Sequence, residues 1–423
     1  MKGQILNQYL GTEILRYAQN DNWRMKMLKN KVIVLGVSGG IAVYKVADMA
    51  SKLTQAGADV HVVMTKSATE FVNPTTFEAL TGNAVVTEMF GSRASHDITH
   101  IKLADAADLI VVAPATANII AKFAGGIADD MLTSIVLATQ APVVVCPAMH
   151  NNMYTNAATQ ENLAKLKQRG FYIVPVAHGR LASGALGYGR LPDINALVGH
   201  VELVLGKNGD LKDKRIIVTA GGTQEAIDPV RFIGNRSSGK MGYAVAEAAR
   251  DRGARVTLIA GPTSLPDPVG VEMIHIQSVL ELKDAVVKSI KKTDVLVMTA
   301  AAADFLPKTA AVHKIKKTAA GLSLELVKAP DILSAVKDGK FLKVGFKAET
   351  QELVDRATEK LYKTNLDLIC ANDVTKAGSG FGTDTNEITI IDREGKAEHL
   401  PLMSKREVAD KILDRVVRLL KRK

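Results

Sequence analysis

Gly36-Val-Ser-Gly-Gly follows a β-branched run and precedes a helical pattern, a placement that turns successive backbone N–H groups toward an anion above the turn. The hydroxyls of Ser38, Thr65 and Ser67 add donors at the ends of neighbouring strands, while the G-x-G-x-x-G spacing and the acid that would grip an adenosine ribose are both missing. This stretch is read as a site for one terminal phosphate, such as that of FMN, and not as a dinucleotide site. A second Gly-rich turn, Gly234-Asn-Arg-Ser-Ser-Gly-Lys-Met, approaches the pattern G-x-x-x-x-G-K-[ST], but Met241 stands where a hydroxyl should reach magnesium. Residues 222–233 also separate it from its strand, so it is read as a phosphate-holding loop before a helix and not as a standard P-loop. The basic run His313-Lys-Ile-Lys-Lys offers cations, although by itself such a cluster reads as a solvated turn.

Those turns need strands before them and helices after them. Residues 31–35 form a β-branched run, Val43, Val46, Ala47, Ala50 and Leu53 share one helical face, Gly57 ends that helix, and residues 60–64 follow as a strand. Residues 109–113, 143–146 and 172–176 supply further buried-type strands, so 31–205 should form a doubly wound parallel sheet. The pattern restarts at residues 215–219, with the turn Ala220-Gly-Gly-Thr and a helix from about Met241 that ends at Gly253. Residues 215–423 are therefore a second doubly wound α/β domain. The polar stretch 206–214 (GKNGDLKDK) reads as a linker, and 1–30 as an extension outside the fold, with Met25 and Met27 as alternative starts.

A chain of 423 residues suits two domains, and 47% hydrophobic against 23% charged residues supplies buried sheets rather than disorder. Cys146 and Cys370 lie in different halves at the ends of apolar runs, giving neither a disulfide framework nor a zinc motif, so a reducing, cytoplasmic setting is expected. No apolar run approaches the roughly 20 residues that span a bilayer, and the N-terminus lacks a signal-peptide core, so neither a membrane nor that export route is expected. The net charge of +10 is scattered, and a 4% aromatic content leaves few platforms for bases, so small phosphorylated ligands are expected in place of nucleic acid.

Together the loops resemble, over nearly the whole chain from Lys31, the bacterial fused phosphopantothenoylcysteine decarboxylase / phosphopantothenate-cysteine ligases of coenzyme A biosynthesis. In the first half the resemblance rests on GVSGGIAVYK (36–45), Thr99-His-Ile, APATAN (113–118), AGGIADD (124–130), PAMHNNMY (147–154) and GALGYGRL (184–191). In the second it rests on TAGGTQEAIDPVRFIGNRSSGKMG (219–242), AAAADF (300–305), KIKK (314–317), APDI (329–332), GFKAET (345–350) and NLDLICAND (365–373). It implies a flavodoxin-like FMN-binding domain followed by a Rossmann-like ligase domain, in a homo-oligomer with trimeric flavin domains.

For the second half the resemblance implies a CTP-dependent ligase, with magnesium on the triphosphate, that converts 4'-phosphopantothenate to an acyl-cytidylate which the amine of cysteine attacks. Lys314 matches the position that compensates transition-state charge, and Asn235 the one that handles the intermediate. Asp304, Lys314, Ala329, Pro330, Asp331, Ile332, Phe346, Lys360 and Thr364 match nucleotide-contacting positions. At Thr364 the family often has a lysine, and Lys363 is adjacent. No residue distinguishes CTP from ATP, and no metal ligand stands out.

For the first half it implies FMN bound by Ser38, Gly39, Gly40, Ile41, Thr65, Ser67, Ala113, Thr116 and Asn118, and decarboxylation of 4'-phosphopantothenoylcysteine to 4'-phosphopantetheine. His100 matches the family's essential histidine. Two positions depart from the pattern. His150 stands where the family has the asparagine that holds the departing carboxylate, and Ser183 where it has the cysteine that donates the last proton. A thiol titrates near about 8.5 and a serine hydroxyl is far less acidic. Either His150, Tyr188 or a water delivers that proton, or the chemistry is partial, or the first domain is a flavin-binding or oligomerising scaffold beside an active ligase.

Overall fold

The computed structural model describes residues 27–89, 99–317, 322–349, 351–376 and 378–422. The chain divides into two compact units at Leu205 and Gly206.

In the first unit five parallel strands, β1 (Val32–Val37), β2 (Asp59–Met64), β3 (Leu109–Ala115), β4 (Val143–Pro147) and β5 (Tyr172–Ile173), lie in the order β2-β1-β3-β4-β5. This flavodoxin-type order reverses between β1 and β3, the place where such sheets receive ligands. Alternation along β1 divides the core. Ile33, Leu35 and Val37 meet Val46, Met49 and Leu53 of the helix Val43–Gln55 on one face, while Val34 meets Ile119, Ile120 and Leu132 on the other. Covered on both sides, β3 and β4 are buried at every position, hence their unbroken apolar runs.

The sequence reading did not anticipate an antiparallel hairpin, β6 (Ala177–Arg180) with β7 (Leu186–Arg190). Glycines make it thin. A Cβ on Gly189, whose φ is 110°, would lie 2.3 Å from the Met149 carbonyl oxygen, and one on Gly187 2.7 Å from Asn151 Oδ1. The boundary at residue 30 also needs correction. Leu28 is fully buried in the cluster that holds β1, and the Asn30 N–H bonds the Gly57 carbonyl at 3.1 Å, so the fold includes residues 27–30. Residues 1–26 lie outside the described residues.

The second unit contains β8 (Arg215–Ala220), β9 (Gln224–Ala226), β10 (Phe232–Gly234), β11 (Arg255–Ala260), β12 (Glu272–His275), β13 (Val295–Met298), β14 (Phe305–Pro307), β15 (Leu326–Lys328), β16 (Leu342–Glu349), β17 (Leu368–Asp373), β18 (Thr385–Asp392) and β19 (Ala397–Ser404). Its main sheet runs β12-β11-β8-β13-β16-β17-β18-β19. The strands through β17 are parallel, and β18 and β19 extend the edge antiparallel. The helices Lys240–Asp251 and Lys405–Leu420 cover one face, and Val279–Ser289 and Leu353–Lys363 the other. The first of these helices presses on β8 at Gly242, where a Cβ would fall 2.5 Å from the Ala220 Cβ and 2.8 Å from the Thr219 carbonyl.

The expected linker is packed rather than loose. Leu211 is fully buried in the second unit's core, and its N–H donates to the Arg252 carbonyl at 2.9 Å. A Cβ on Gly209 would lie 2.5 Å from the Arg252 oxygen, and Asp210 pairs with Arg252 at 2.6 Å. One buried leucine among polar neighbours carries too little pattern to be read in advance. Leu211→Ala should therefore lower the stability of the second unit by about 2–5 kcal/mol in denaturant unfolding. A loss below about 0.5 kcal/mol, the range of neutral surface changes, would restore the loose linker.

Candidate functional site

In the first unit the loops after β1, β2 and β3 meet at the reversal point. Ser38 Oγ donates to the Pro114 carbonyl at 2.6 Å and accepts the Thr116 N–H at 3.0 Å, stitching the turn after β1 to the turn after β3. Ala113, fully buried, precedes Pro114 through a cis peptide bond. Gly39 is required by contact, since a Cβ there would sit 2.4 Å from the Ser67 Cβ and 2.7 Å from its backbone. Gly40 is not, its nearest neighbour being Thr116 Cγ2 at 3.6 Å. Thr116 caps the helix Ala117–Gly125, and Thr65 precedes the short helix Lys66–Thr69 with its hydroxyl buried and without a hydrogen-bond partner. Ile41, Ser67 and Asn118 are exposed at the rim. An orphaned hydroxyl and glycines that let three loops close together fit a terminal phosphate.

His100 is half-buried on the helix Thr99–Ala106. His150 caps the helix Asn151–Thr155, its Nδ1 accepting the Asn152 N–H at 3.3 Å. In the neutral ring this bond leaves the proton on the exposed Nε2. The β6–β7 hairpin lies against the same turn, with the Met149 N–H on the Gly189 carbonyl at 2.9 Å and the Tyr188 N–H on Asn151 Oδ1 at 3.0 Å. Tyr188 stacks edge-on with His178 at 4.9 Å between centroids. Ser183 is exposed at the hairpin's tip. Cys146 is no substitute acid, because burial pushes its thiol up to about 12.

The second unit clasps its loops in the same way. The Ala301 N–H donates to the Gly221 carbonyl at 2.8 Å, and Gly221 takes φ 79° to allow it. Asn235 Nδ2 donates to the Ala302 and Ala301 carbonyls at 2.9 and 3.3 Å. The Ala329 N–H reaches the Asp304 carbonyl at 2.8 Å, and Asp331 caps the turn Ile332–Ala335 through the Ser334 N–H and hydroxyl. Lys360 Nζ donates to the Phe346 carbonyl at 3.2 Å. Burial first, and then the charge of Lys347, lower the Lys360 pKa, while Asp331, Asp304 and Glu349 oppose that shift. Asp304, Asp331, Phe346 and Lys360 are thus brought together, with Ala329 and Ile332 buried and Pro330 half-buried alongside. Thr364 stands apart: it is buried, and its hydroxyl donates to the Lys360 carbonyl at 2.7 Å as the helix ends.

Lys314 is exposed, and the segment carrying it is anchored one residue on. The Ile315 N–H donates to Asp228 Oδ2 at 3.1 Å, and its carbonyl accepts from Arg231 at 2.8 Å. Asp228 also accepts the Val230 and Arg231 N–H groups at 2.8 Å and pairs with the Arg231 guanidinium. The guanidinium foremost, with those N–H groups, holds the Asp228 carboxyl well below the usual carboxylate range, against the opposing effect of burial. The sequence reading gave neither residue a role; the available signal was an acid followed by a proline and, three residues on, an arginine. Lys240, the lysine of the P-loop-like turn, is engaged by Asp384 at 2.6 Å and the Gly382 carbonyl at 3.0 Å. The 380–385 loop that accepts it is held in turn by buried Lys405, which donates to the Gly380, Thr383 and Thr385 carbonyls. Among the described residues no cluster of His, Cys, Asp and Glu suits a metal ion.

Two doubly wound units, the first with phosphate-suited loops at its reversal point, define a two-domain α/β class. Residues 22–206 match the family described as Flavoprotein, and residues 211–420 match the DNA/pantothenate metabolism flavoprotein C-terminal domain. The chain is 48% identical, over 93% of its length and 98% of the relative's, to the coenzyme A biosynthesis bifunctional protein CoaBC of Bacillus subtilis (strain 168). Identity to the protein of the same name from Escherichia coli (strain K12) is 43%, over 92% and 97% of the two chains. The chain belongs to this CoaBC family of bifunctional coenzyme A biosynthesis proteins. The crystal structure of a C-terminal domain of CoaBC is 39% identical over 51% of this chain and 100% of that one, with a TM-score of 0.44.

Because Asp228 organises the Lys314 segment, Asp228→Ala should lower both ligation and the second unit's melting temperature at pH 7. A carboxyl with a depressed folded pKa contributes its stability above the unfolded value, ordinarily 3.8, and loses it as the pH falls through the folded value. The melting-temperature gap between variant and wild type should therefore hold above about pH 4 and narrow below it. A gap that widens on acidification would contradict this.

Proposed function

We propose that the second unit joins 4'-phosphopantothenate to cysteine using CTP, and that the first decarboxylates the product, 4'-phosphopantothenoylcysteine, to 4'-phosphopantetheine. Family membership supports the pairing of the two activities. The observation that carries the site assignment is the convergence of Asp304, Asp331, Phe346 and Lys360 beside the clasp that fixes Asn235.

In the ligation a substrate carboxylate oxygen attacks the α-phosphorus of CTP and pyrophosphate leaves, giving the acyl-cytidylate. The cysteine amine, having shed a proton, then forms the amide C–N bond as the acyl–oxygen bond breaks and CMP departs. Lys314 offsets charge building on the transferring phosphorus. Asn235, whose Nδ2 is committed to two carbonyls, presents Oδ1 as an acceptor to the incoming amine. Magnesium is assigned to travel with the triphosphate.

In the first unit the turns at Ser38, Thr65 and Thr116 would hold the phosphate of FMN, which when bound would supply the oxidation that makes the substrate's thiol carbon an electron sink and, after carbon dioxide has left, the reduction that returns those two electrons. His100 serves as base or positions the substrate, and His150 directs Nε2–H at the departing carboxylate in place of the usual asparagine. His150, Tyr188 or a water gives the last proton. A second reading, an active ligase beside a flavin-binding scaffold, is favoured by one fact: Ser183 offers only a hydroxyl where the family carries a thiol. We also propose a cytoplasmic homo-oligomer with trimeric flavin units. Both cysteines are free buried thiols, and Ile41 and Tyr44 put apolar surface beside the first Gly-rich turn. No helix among the described residues is long and apolar enough to cross a membrane.

The purified chain supplied with 4'-phosphopantothenate, cysteine, CTP and magnesium should release carbon dioxide and form 4'-phosphopantetheine. Build-up of 4'-phosphopantothenoylcysteine without carbon dioxide would select the scaffold reading, as would a large gain in turnover from near zero in Ser183→Cys. Lys314→Gln should slow pyrophosphate release by about a hundredfold or more. In Asn235→Asp a carboxylate would face two carbonyls, so the acyl-cytidylate should form and persist. Wild-type rates in both variants would defeat these roles.

A further inference from the structure

Beside β8, at the ends of β11 and β12, the second unit contains a cavity of about 380 Å³ that none of the roles above uses. Its lining includes Tyr243, Thr263, Leu265, His275, Gln277 and Glu281. It adjoins the Asn235 loop. The Gly261 N–H donates to the Ala220 carbonyl at 2.9 Å, a Cβ on Gly261 would lie 2.4 Å from the Gly222 oxygen, and Thr263 Oγ1 donates to the Ser238 carbonyl at 3.0 Å. Gly222 in turn lies against Asn235, its Cβ position 2.7 Å from the Asn235 oxygen. The nucleotide-side group around Lys360 belongs to β16 and the helix Leu353–Lys363, across β8 and β13 from the cavity.

Two features set the chemistry of its occupant. The described lining contains no lysine or arginine and one carboxylate, Glu281, so it offers nothing to neutralise a phosphate. Glu281 Oε2 accepts the Gln277 N–H at 2.7 Å, which leaves its other oxygen as an acceptor for a cation. Tyr243 is only 5% exposed, and its hydroxyl is buried without a hydrogen-bond partner. Burial, and then the nearby Asp267 carboxylate, raise the Tyr243 pKa, so the phenol keeps its proton as a donor. His275 Nε2 lies 3.3 Å from Asp267 and occupies that acid. A buried donor without a partner is costly and marks the place of a ligand acceptor.

Of the three substrates of the proposed ligation, two carry phosphate and need cations, whereas cysteine carries one ammonium and one carboxylate. We infer that this cavity is the docking subsite for the amino acid, with Tyr243 donating to its carboxylate and Glu281 accepting from its ammonium, beside the loop that positions Asn235. The inference rests on the ligase reading of the second unit.

The test uses the full chain and separates the half-reactions. Pyrophosphate release without cysteine reports acyl-cytidylate formation, hydroxylamine trapping reports its reactivity toward an amine that needs no amino-acid subsite, and CMP release against cysteine concentration reports the subsite. Tyr243→Phe and Glu281→Gln should each raise the KM for cysteine about tenfold, the loss expected for a hydrogen bond to a charged group. Pyrophosphate release, the KM for CTP and hydroxylamine trapping should stay at wild-type values, which also shows that the variants fold. An unchanged KM for cysteine would overturn the inference, as would a KM for CTP that rises in step. Failure of the wild-type chain to release pyrophosphate would overturn the ligase reading itself, before any variant is made.

Discussion

Parallel strands end in backbone groups that the ladder no longer pairs, and both units meet this constraint by clasping the two loops that flank the reversal of strand order. In the first unit the clasp is Ser38 on the Pro114 carbonyl; in the second it is the Ala301 N–H on the Gly221 carbonyl. Each closes only because small residues line it. Gly39 leaves room for Ser67, and Gly222 leaves room for Asn235. Once closed, the clasp sets where Thr116 and Asn235 stand.

Electrostatic organisation follows from this in the second unit. Lys314 is solvated and long, so its usefulness depends on where its backbone is held, and the buried Asp228 carboxylate holds it through the Ile315 N–H. Lys240 is committed elsewhere, to Asp384, and Lys360 to a carbonyl between opposing charges. Lys314, Lys240 and Lys360 therefore have three different situations, although the letters on the page are the same.

The strands of both parallel sheets were legible in the sequence because burial on both faces leaves continuous β-branched runs: residues 109–113 were read as a strand, and β3 spans Leu109–Ala115. The helix after the second Gly-rich turn was likewise expected from about Met241 and begins at Lys240. The hairpins were not legible. β6 and β7 contain glycine, histidine and arginine, and their pairing depends on contacts with the 149–151 turn rather than on their own composition. β18 carries a signal of its own, the alternating TNEITIID, in which Asn386, Ile388 and Ile390 are buried. The candidate site residues were proposed from loop type and resemblance, whereas the Asp228–Arg231 pair is completed by Ile315, far along the chain, and the burial of the Tyr243 hydroxyl is not encoded in spacing.

The segment from Gly206 to Lys214 also bears on how such a chain can be divided or joined. Leu211 plugs the base of the second unit and Gly209 lies flush against Arg252, so these residues travel with the second half although their composition resembles a spacer. A gene fission placed at residue 214 would release a second half with an open hydrophobic socket, prone to self-association. A break near Leu205, where the two compact units divide, would keep the plug.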